Sequence, residues 1–332
     1  MAWLSKTVRT ARFTSLIRLQ LIIGLLAALF PAYSNAAGNW LAPLLQNHPL
    51  VGKIYSLEQK AFLSETELLS ELRSTTYVLI GEKHDNTDHH RLEEKILTAL
   101  NSPTPPFIVF EMLTDEQQLL TNSLQPSDTL QQMHDKLQWN NKGWLWKDYG
   151  PLINTAVQQS ATITAGNINP ELLKRIYKEG SANPELATAR FKSMASIAES
   201  TRNKILDQIH ESHCAMMPKE KLTPMLTIQL ARDASMAYAM LHDSKKNKAD
   251  RPSILIAGSF HTQKNIGVPL HLRQLTQQPI KTLLLTEVSD SYENPNDYAT
   301  HQEADYIWFT PRQLDIDYCA GLRTQLSGSH KP

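Results

Sequence analysis

The sequence predicts an α/β protein: a mostly parallel sheet flanked by helices, with a smaller helical subdomain inserted into it. Three observations predict it. Short apolar runs alternate with helical stretches along the chain. The runs lack polar alternation, the pattern of strands covered on both faces. From Thr114 to about His242 the simple alternation breaks, one strand at 161–165 aside, and most of about residues 170–225 reads as the inserted helical subdomain.

The apolar runs are Tyr77–Ile80, Phe107–Phe110, Ala161–Ala165, Ser253–Ala257 and Lys281–Thr286. Each is short and rich in aliphatic or β-branched residues, as a buried strand requires. Weaker extended segments near Gly52–Tyr55 and Tyr306–Phe309 add edge strands. His89–Leu100 reads as a helix because Leu92, Ile96 and Leu100 share one face. Asp115–Leu124 and Thr129–Leu137 read as short helices, and Pro151–Ser160 as a helix after a tryptophan-rich turn. Pro170–Glu179 reads as a helix stopped by Gly180. Two longer helices are expected at Pro184–Cys214 and Thr223–His242.

Residues 1–36 read as a secretory signal peptide. Lys6, Arg9, Arg12 and Arg18 give a basic leader, Leu19–Phe30 an apolar stretch, and Ser34-Asn35-Ala36 small residues at the cleavage positions. The apolar run is shorter than the roughly 20 residues of a spanning helix. No cysteine follows it, so no lipid attachment is expected, and the mature chain reads as soluble and exported. Lys+Arg 33 balances Asp+Glu 33, which argues against a nucleic-acid partner. Cys214 and Cys319 are a possible disulfide in an oxidising compartment, or two separate thiols.

The polar residues of interest follow the strands. Glu82, His84 and Asp85 follow the first run, Glu111 the second, Asn167 the third and His261 the fourth. In a parallel sheet these ends lie on one edge, where open α/β folds place a ligand crevice. Glu82, His84, Glu111, Asn167 and His261 are therefore expected to converge. Glu82 and Asp85 can also cap the following helix, and His89 and His90 read as solvated residues at its start. Trp144 and Trp146 read as packing rings. Tyr149 needs a hydroxyl partner if buried. Gln229 and Asp233 share a helix face and read as a tie between helices.

Gly81-Glu82-Lys83-His84-Asp85 with His89-His90, Phe110-Glu111-Met112, Trp144 to Pro151, Gln229–Ala237 and Gly258-Ser-Phe-His261 followed by Gly267–Leu272 resemble the ChaN family, in order, from about residue 40 to 320. That family sits in a superfamily with Tiki-type metal-dependent proteases and erythromycin-esterase-like enzymes. The resemblance implies haem binding in bacterial iron uptake. Haem would be held between two subunits, with a tyrosine on the iron and a histidine and a lysine near the propionates. Tyr149 fits the family motif best for the iron, with Tyr177 as the alternative. Lys83, Lys174 and the histidines, His84 and His261 among them, are the propionate candidates. The resemblance further implies a periplasmic protein, a homodimer when haem is bound, and outer-membrane haem-uptake components as partners. The domain reading is a signal peptide at 1–36, an α/β domain at 37–320 with its insertion at about 170–225, and a tail at 321–332. The competing reading is a metal-dependent hydrolase in which Glu82, His84, Glu111 and His261 hold a divalent metal or act as acid and base on bound water. No nucleophile elbow, phosphate-cradling loop or zinc-protease helix signature accompanies them.

Mass spectrometry of the exported protein should place the mature amino terminus near Ala37. An intact Met1–Phe30 segment in the membrane fraction would contradict the signal-peptide reading.

Overall fold

The computed structural model describes residues 39–101, 103–241, 251–299, 303–315 and 319–320. The segments read as signal peptide and as tail lie outside the described residues.

Eight strands form one sheet: β1 (Ile54–Ser56), β2 (Ala61–Leu63), β3 (Tyr77–Glu82), β4 (Phe107–Thr114), β5 (Thr162–Asn167), β6 (Ser253–Gly258), β7 (Ile280–Glu287) and β8 (Tyr306–Thr310). Their order across the sheet is β2-β1-β8-β7-β3-β6-β4-β5. From β8 to β5 every pairing is parallel, and β1 joins β8 and β2 antiparallel. All five apolar runs are strands. Both weak segments contain strands as well, but β1 and β8 are interior rather than edge strands, because the short β2 pairs outside β1 and takes the edge. The short β2 was not expected; two of its three residues are exposed, so it carries little apolar signal.

Burial on both faces explains why the strands read as unbroken apolar runs. Val78 and Ile80 of β3, Ile108 and Phe110 of β4, and Ile254 and Ile256 of β6 share one core with Leu92, Ile96, Leu152 and Ile153. Tyr77, Leu79, Val109, Leu255 and Ala257 face the other way, onto Met236, Ala237, Met240, Val268 and Leu272. One layer is thus built from the Thr87–Ala99 and Trp146–Gln158 helices, the other from Thr223–Leu241 and Val268–Leu275.

Several helices depart from expectation. Trp146–Gln158 begins before Pro151, which lies inside its first turns and leaves the helix intact there. Pro184–Cys214 is not one helix. It consists of 3-10 turns at Pro184–Ala187 and Ala189–Ser196, then an α-helix at Glu199–Ser212. The helix beginning at Thr87 is capped by Asn86, whose side chain accepts from the Asp88 and His89 amides, not by Glu82 or Asp85. Gly180 caps Pro170–Glu179 with φ 59°, as a helix stop requires.

The 170–225 segment packs around Leu172, Ile176, Phe191, Ile205, Ile209 and Leu222, and its core is closed by Leu226, Leu230 and Ala234 of the Thr223–Leu241 helix. One helix therefore serves both this segment and the sheet. Cys214 and Cys319 form a disulfide across a sequence separation of 105. No helix among the described residues is long and apolar enough to cross a membrane.

Gly81 sets how closely the Ser259–Thr262 turn approaches β3. A Cβ there would lie 2.1 Å from Thr262 Oγ1 and 2.5 Å from Leu284 Cδ2. Gly81→Ala is expected to lower stability by about 1–3 kcal/mol through this overpacking. Urea denaturation checks it, and an unchanged midpoint would contradict the packing argument.

Candidate functional site

The connections place a crevice over the centre of the sheet. The chain leaves β3 for β4 on one side, and leaves β6 for β7 on the other. Strands whose connections diverge in this way open a crevice at their carboxyl ends. Glu82 ends β3 and is register partner of Gly258, which ends β6. Glu111 lies in β4 beyond Phe110, and His261 lies in the turn after β6.

Two linked groups of buried polar residues occupy this edge. In the first, Glu82 accepts the Tyr149 hydroxyl at 2.7 Å, and His84 Nδ1 lies 2.8 Å from the same carboxylate oxygen. The Tyr149 ring is buried and packs edge-on against Trp144 and His90, and at a tilt against Trp139. Burial and the charge of Glu82 push its phenol well above the ordinary range. His84 is less buried. Burial pulls its pKa down, but the hydrogen bond and charge of Glu82 outweigh this and raise it.

In the second group His261 bridges two carboxylates. Its Nδ1 lies 2.6 Å from Asp233 Oδ1 and its Nε2 3.3 Å from Glu111 Oε1. The Gly258 amide donates to Glu111 at 2.8 Å. Gln229 Nε2 lies 3.0 Å from His261 Nδ1. Burial alone would hold His261 neutral, but Glu111 and Asp233 outweigh it and push it up to about 10. Burial raises Glu111, yet the His261 imidazolium, His84 and the Gly258 amide leave it well below the carboxylate range. Asp233 stays high, at about 6, because desolvation dominates there.

Gly258 joins the two groups. A Cβ at Gly258 would lie 2.7 Å from His84 Nε2 and 3.6 Å from Glu111 Oε2. His84 thus lies across bare backbone, beside the Glu111 carboxylate. The structure therefore brings Glu82, His84, Glu111 and His261 to one edge, with Tyr149 beneath His84.

The remaining candidates lie beside this cluster or away from it. Lys83 pairs with Glu287 at 2.9 Å and Asp85 at 3.4 Å. Lys174 pairs with Glu171 on the exposed face of Pro170–Glu179, the helix that carries Tyr177. Asn167 is structural, since its side-chain amide donates to the Glu111 carbonyl. His89 and His90 are not solvated. His89 accepts from the Lys83 amide and meets Thr310, and burial holds it neutral. His90 faces Glu82 and Glu93. Asp233 is a site neighbour that sequence reasoning treated only as a helix tie. The apolar spacing of Leu226, Leu230, Ala234 and Ala237 would have placed it at the edge of the buried face.

The ion cluster makes stability depend on pH. His261 has a folded pKa above its ordinary 6.5, so its contribution is fully present below about pH 6.5 and is lost as pH rises through about 10. Stability should fall between pH 7 and pH 10 with a slope on the order of 1 kcal/mol per pH unit for such a group. Denaturation at a series of pH values should show this fall, and His261→Gln should flatten it. An equal slope in the variant would contradict the cluster's ionisation.

The family model for haem-binding uptake, Tiki superfamily, ChaN, matches residues 68–272. Among solved structures, one titled as cofacial heme binding to ChaN of Campylobacter jejuni is similar, with TM-score 0.63 and 24% identity over 77% of this chain and 95% of that one. An erythromycin esterase, EreC, in its open conformation matches more distantly, with TM-score 0.46 and 10% identity over 80% of this chain and 99% of that one. No curated protein sequence matches. The fold expected from the sequence is thereby the fold of a solved ChaN structure, and the matched model spans the strand ends, the tryptophan cluster and the inserted helices. The chain belongs to the ChaN family of haem-binding uptake proteins in the Tiki superfamily.

Proposed function

We propose that this protein binds ferric haem in bacterial haem uptake, with Tyr177 as the iron ligand. The observation that carries the choice of tyrosine is burial. Tyr149 is 1% exposed and its hydroxyl donates to Glu82, whereas Tyr177 is 52% exposed. A planar ligand of haem's size cannot reach the Tyr149 oxygen without opening the core. Tyr149, the first candidate from the family motif, is therefore set aside as iron ligand.

The surroundings of Tyr177 fit haem. Leu173 stands one helical turn before it and offers apolar surface. Lys174 and Lys178 flank it with cations that suit propionates. When bound, ferric haem supplies a Lewis-acidic iron that prefers a hard anionic oxygen. The chain's part is to present that oxygen, cover the ring and neutralise the propionates. Lys83, which follows β3 and does not lie on the Tyr177 helix, is the weaker propionate candidate. His84, half-open to the crevice, and His261, held between two carboxylates, then serve the strand edge.

Export supports the ferric state. The disulfide suits an oxidising compartment, and the basic leader suits secretion to the periplasm. Two haems held face to face between two copies would bury both rings, so haem should promote a homodimer by linkage. A haem-uptake component of the outer membrane is the fitting source of the ligand.

Haemin titration followed by visible absorption tests the reading. Tyr177→Phe should weaken ferric haem binding on the order of a hundredfold, about 2.7 kcal/mol. It should also abolish haem-dependent dimerisation, while Tyr149→Phe retains both. An unchanged ferric spectrum in Tyr177→Phe would refute tyrosine ligation there. No saturable haem binding, with hydrolytic activity conferred by a divalent metal at Glu82, His84, Glu111 and His261, would replace the haem reading with the hydrolase one.

A further inference from the structure

The Thr87–Ala99 helix brings two more polar side chains against the end of β3. Glu82 is 1% exposed, Glu93 0% and His90 5%. The His90 Nε2 lies 3.1 Å from the His84 backbone carbonyl. A carbonyl only accepts, so Nε2 carries the hydrogen there. In the neutral ring Nδ1 then holds a lone pair. That lone pair faces Glu82 Oε2 and Glu93 Oε2, each 3.3 Å away. With a hydrogen on Nδ1 the ring donates to Glu93 Oε2 at 3.3 Å and leaves Glu82 Oε2 unpaired; without it, three acceptors meet in a buried space.

One of these atoms and one further oxygen make the arrangement more demanding. Glu82 Oε2 and Glu93 Oε1 are buried without a hydrogen-bond partner. Buried carboxylate oxygens are seldom left so, because the desolvation cost is unreturned. A positive centre among these atoms would satisfy them together.

The geometry is that of a ligand set. The three donors lie within 4.8 Å of one another. Donors at 2.0–2.2 Å from a shared tetrahedral ion stand about 3.3–3.6 Å apart. The separations from His90 Nδ1 match that spacing and are long for an N–H···O bond. Two carboxylates and one neutral imidazole cancel the charge of a divalent cation. The outer contacts also suit a ligand set. The carbonyl of His84 fixes the imidazole tautomer, and Tyr149 and His84 hold the other oxygen of Glu82.

We propose that Glu82, His90 and Glu93 form a binding site for one divalent first-row transition-metal cation. Nitrogen with carboxylate oxygen suits Zn2+ or Mn2+. The bound ion pins the Thr87–Ala99 helix to β3 and fixes the carboxylate on which Tyr149 and His84 rest. The site shares no residue with the Tyr177 surface and stands whether or not haem binds there.

Untagged, haem-free protein is stripped with a chelator, shown to be folded by circular dichroism, and titrated with Zn2+ and with Mn2+ by calorimetry. One equivalent of at least one ion should bind saturably, and the free ion should raise the thermal midpoint. Glu93→Gln and His90→Gln should each weaken binding about a hundredfold or more. X-ray absorption of the zinc-loaded wild-type protein reports the ligands without any substitution, and should show a single imidazole among oxygen donors. The proposal is overturned by absence of saturable binding for both ions, or by binding that survives both substitutions. Loss in Glu111→Gln with retention in Glu93→Gln would move the ion to the other carboxylate group, and a shell of several imidazoles would likewise overturn it.

Discussion

One buried histidine, set between two carboxylates, holds this strand edge together. His261 stands between Glu111 and Asp233, and all three are nearly inaccessible. Two carboxylates in such surroundings repel each other and lack water, so a positive group between them is what makes their burial tolerable. Removing one partner of such a group costs about 3–5 kcal/mol, because the others remain buried and unpaired. The interaction also fixes the architecture. It ties β4, the turn after β6 and the Thr223–Leu241 helix to a single point. Through Gly258 it sets where His84 can lie, and through His84 it reaches Glu82 and Tyr149.

The parts of this arrangement that sequence discloses are those governed by short-range pattern. β3, β4 and β6 read clearly because both their faces are buried and every position is apolar until the chain reaches the edge. Polar residues at or just past the end of such a run therefore mark the edge, which is how Glu82, Glu111 and His261 stand out. Helical residues of the site were less legible. His89, Glu93, Ile96, Leu97 and Leu100 share one buried stripe, but the eye follows Leu92 and Ile96 and leaves the polar members to solvent. Asp233 was obscured in the same way among small apolar neighbours. The 3-10 turns of residues 184–196 were read as α-helix because their turn period differs little from 3.6 over so short a stretch. The tertiary pairing of Cys214 with Cys319 has no local signature at all.

Burial divides the tyrosines into two roles. Tyr149 is a structural donor, enclosed by Trp139, Trp144 and His90 and committed to Glu82. Tyr177 projects from an exposed helix face, with lysines beside it. The strand edge and the exposed helix are thus separate pieces of chemistry on one fold. The helix that closes the core of the inserted segment also carries Asp233, so the two pieces are mechanically connected through Thr223–Leu241.

The central claim is that His261 is a buried imidazolium at neutral pH. Nitrogen-15 NMR of histidine-labelled protein measures this directly, because both ring nitrogens carry hydrogen in the cation and only one does in the neutral ring. The account predicts two protonated ring nitrogens for His261 at pH 7, with loss of one only as the pH approaches about 10. A neutral His261 at pH 7, titrating near its ordinary value or below it, would contradict the account.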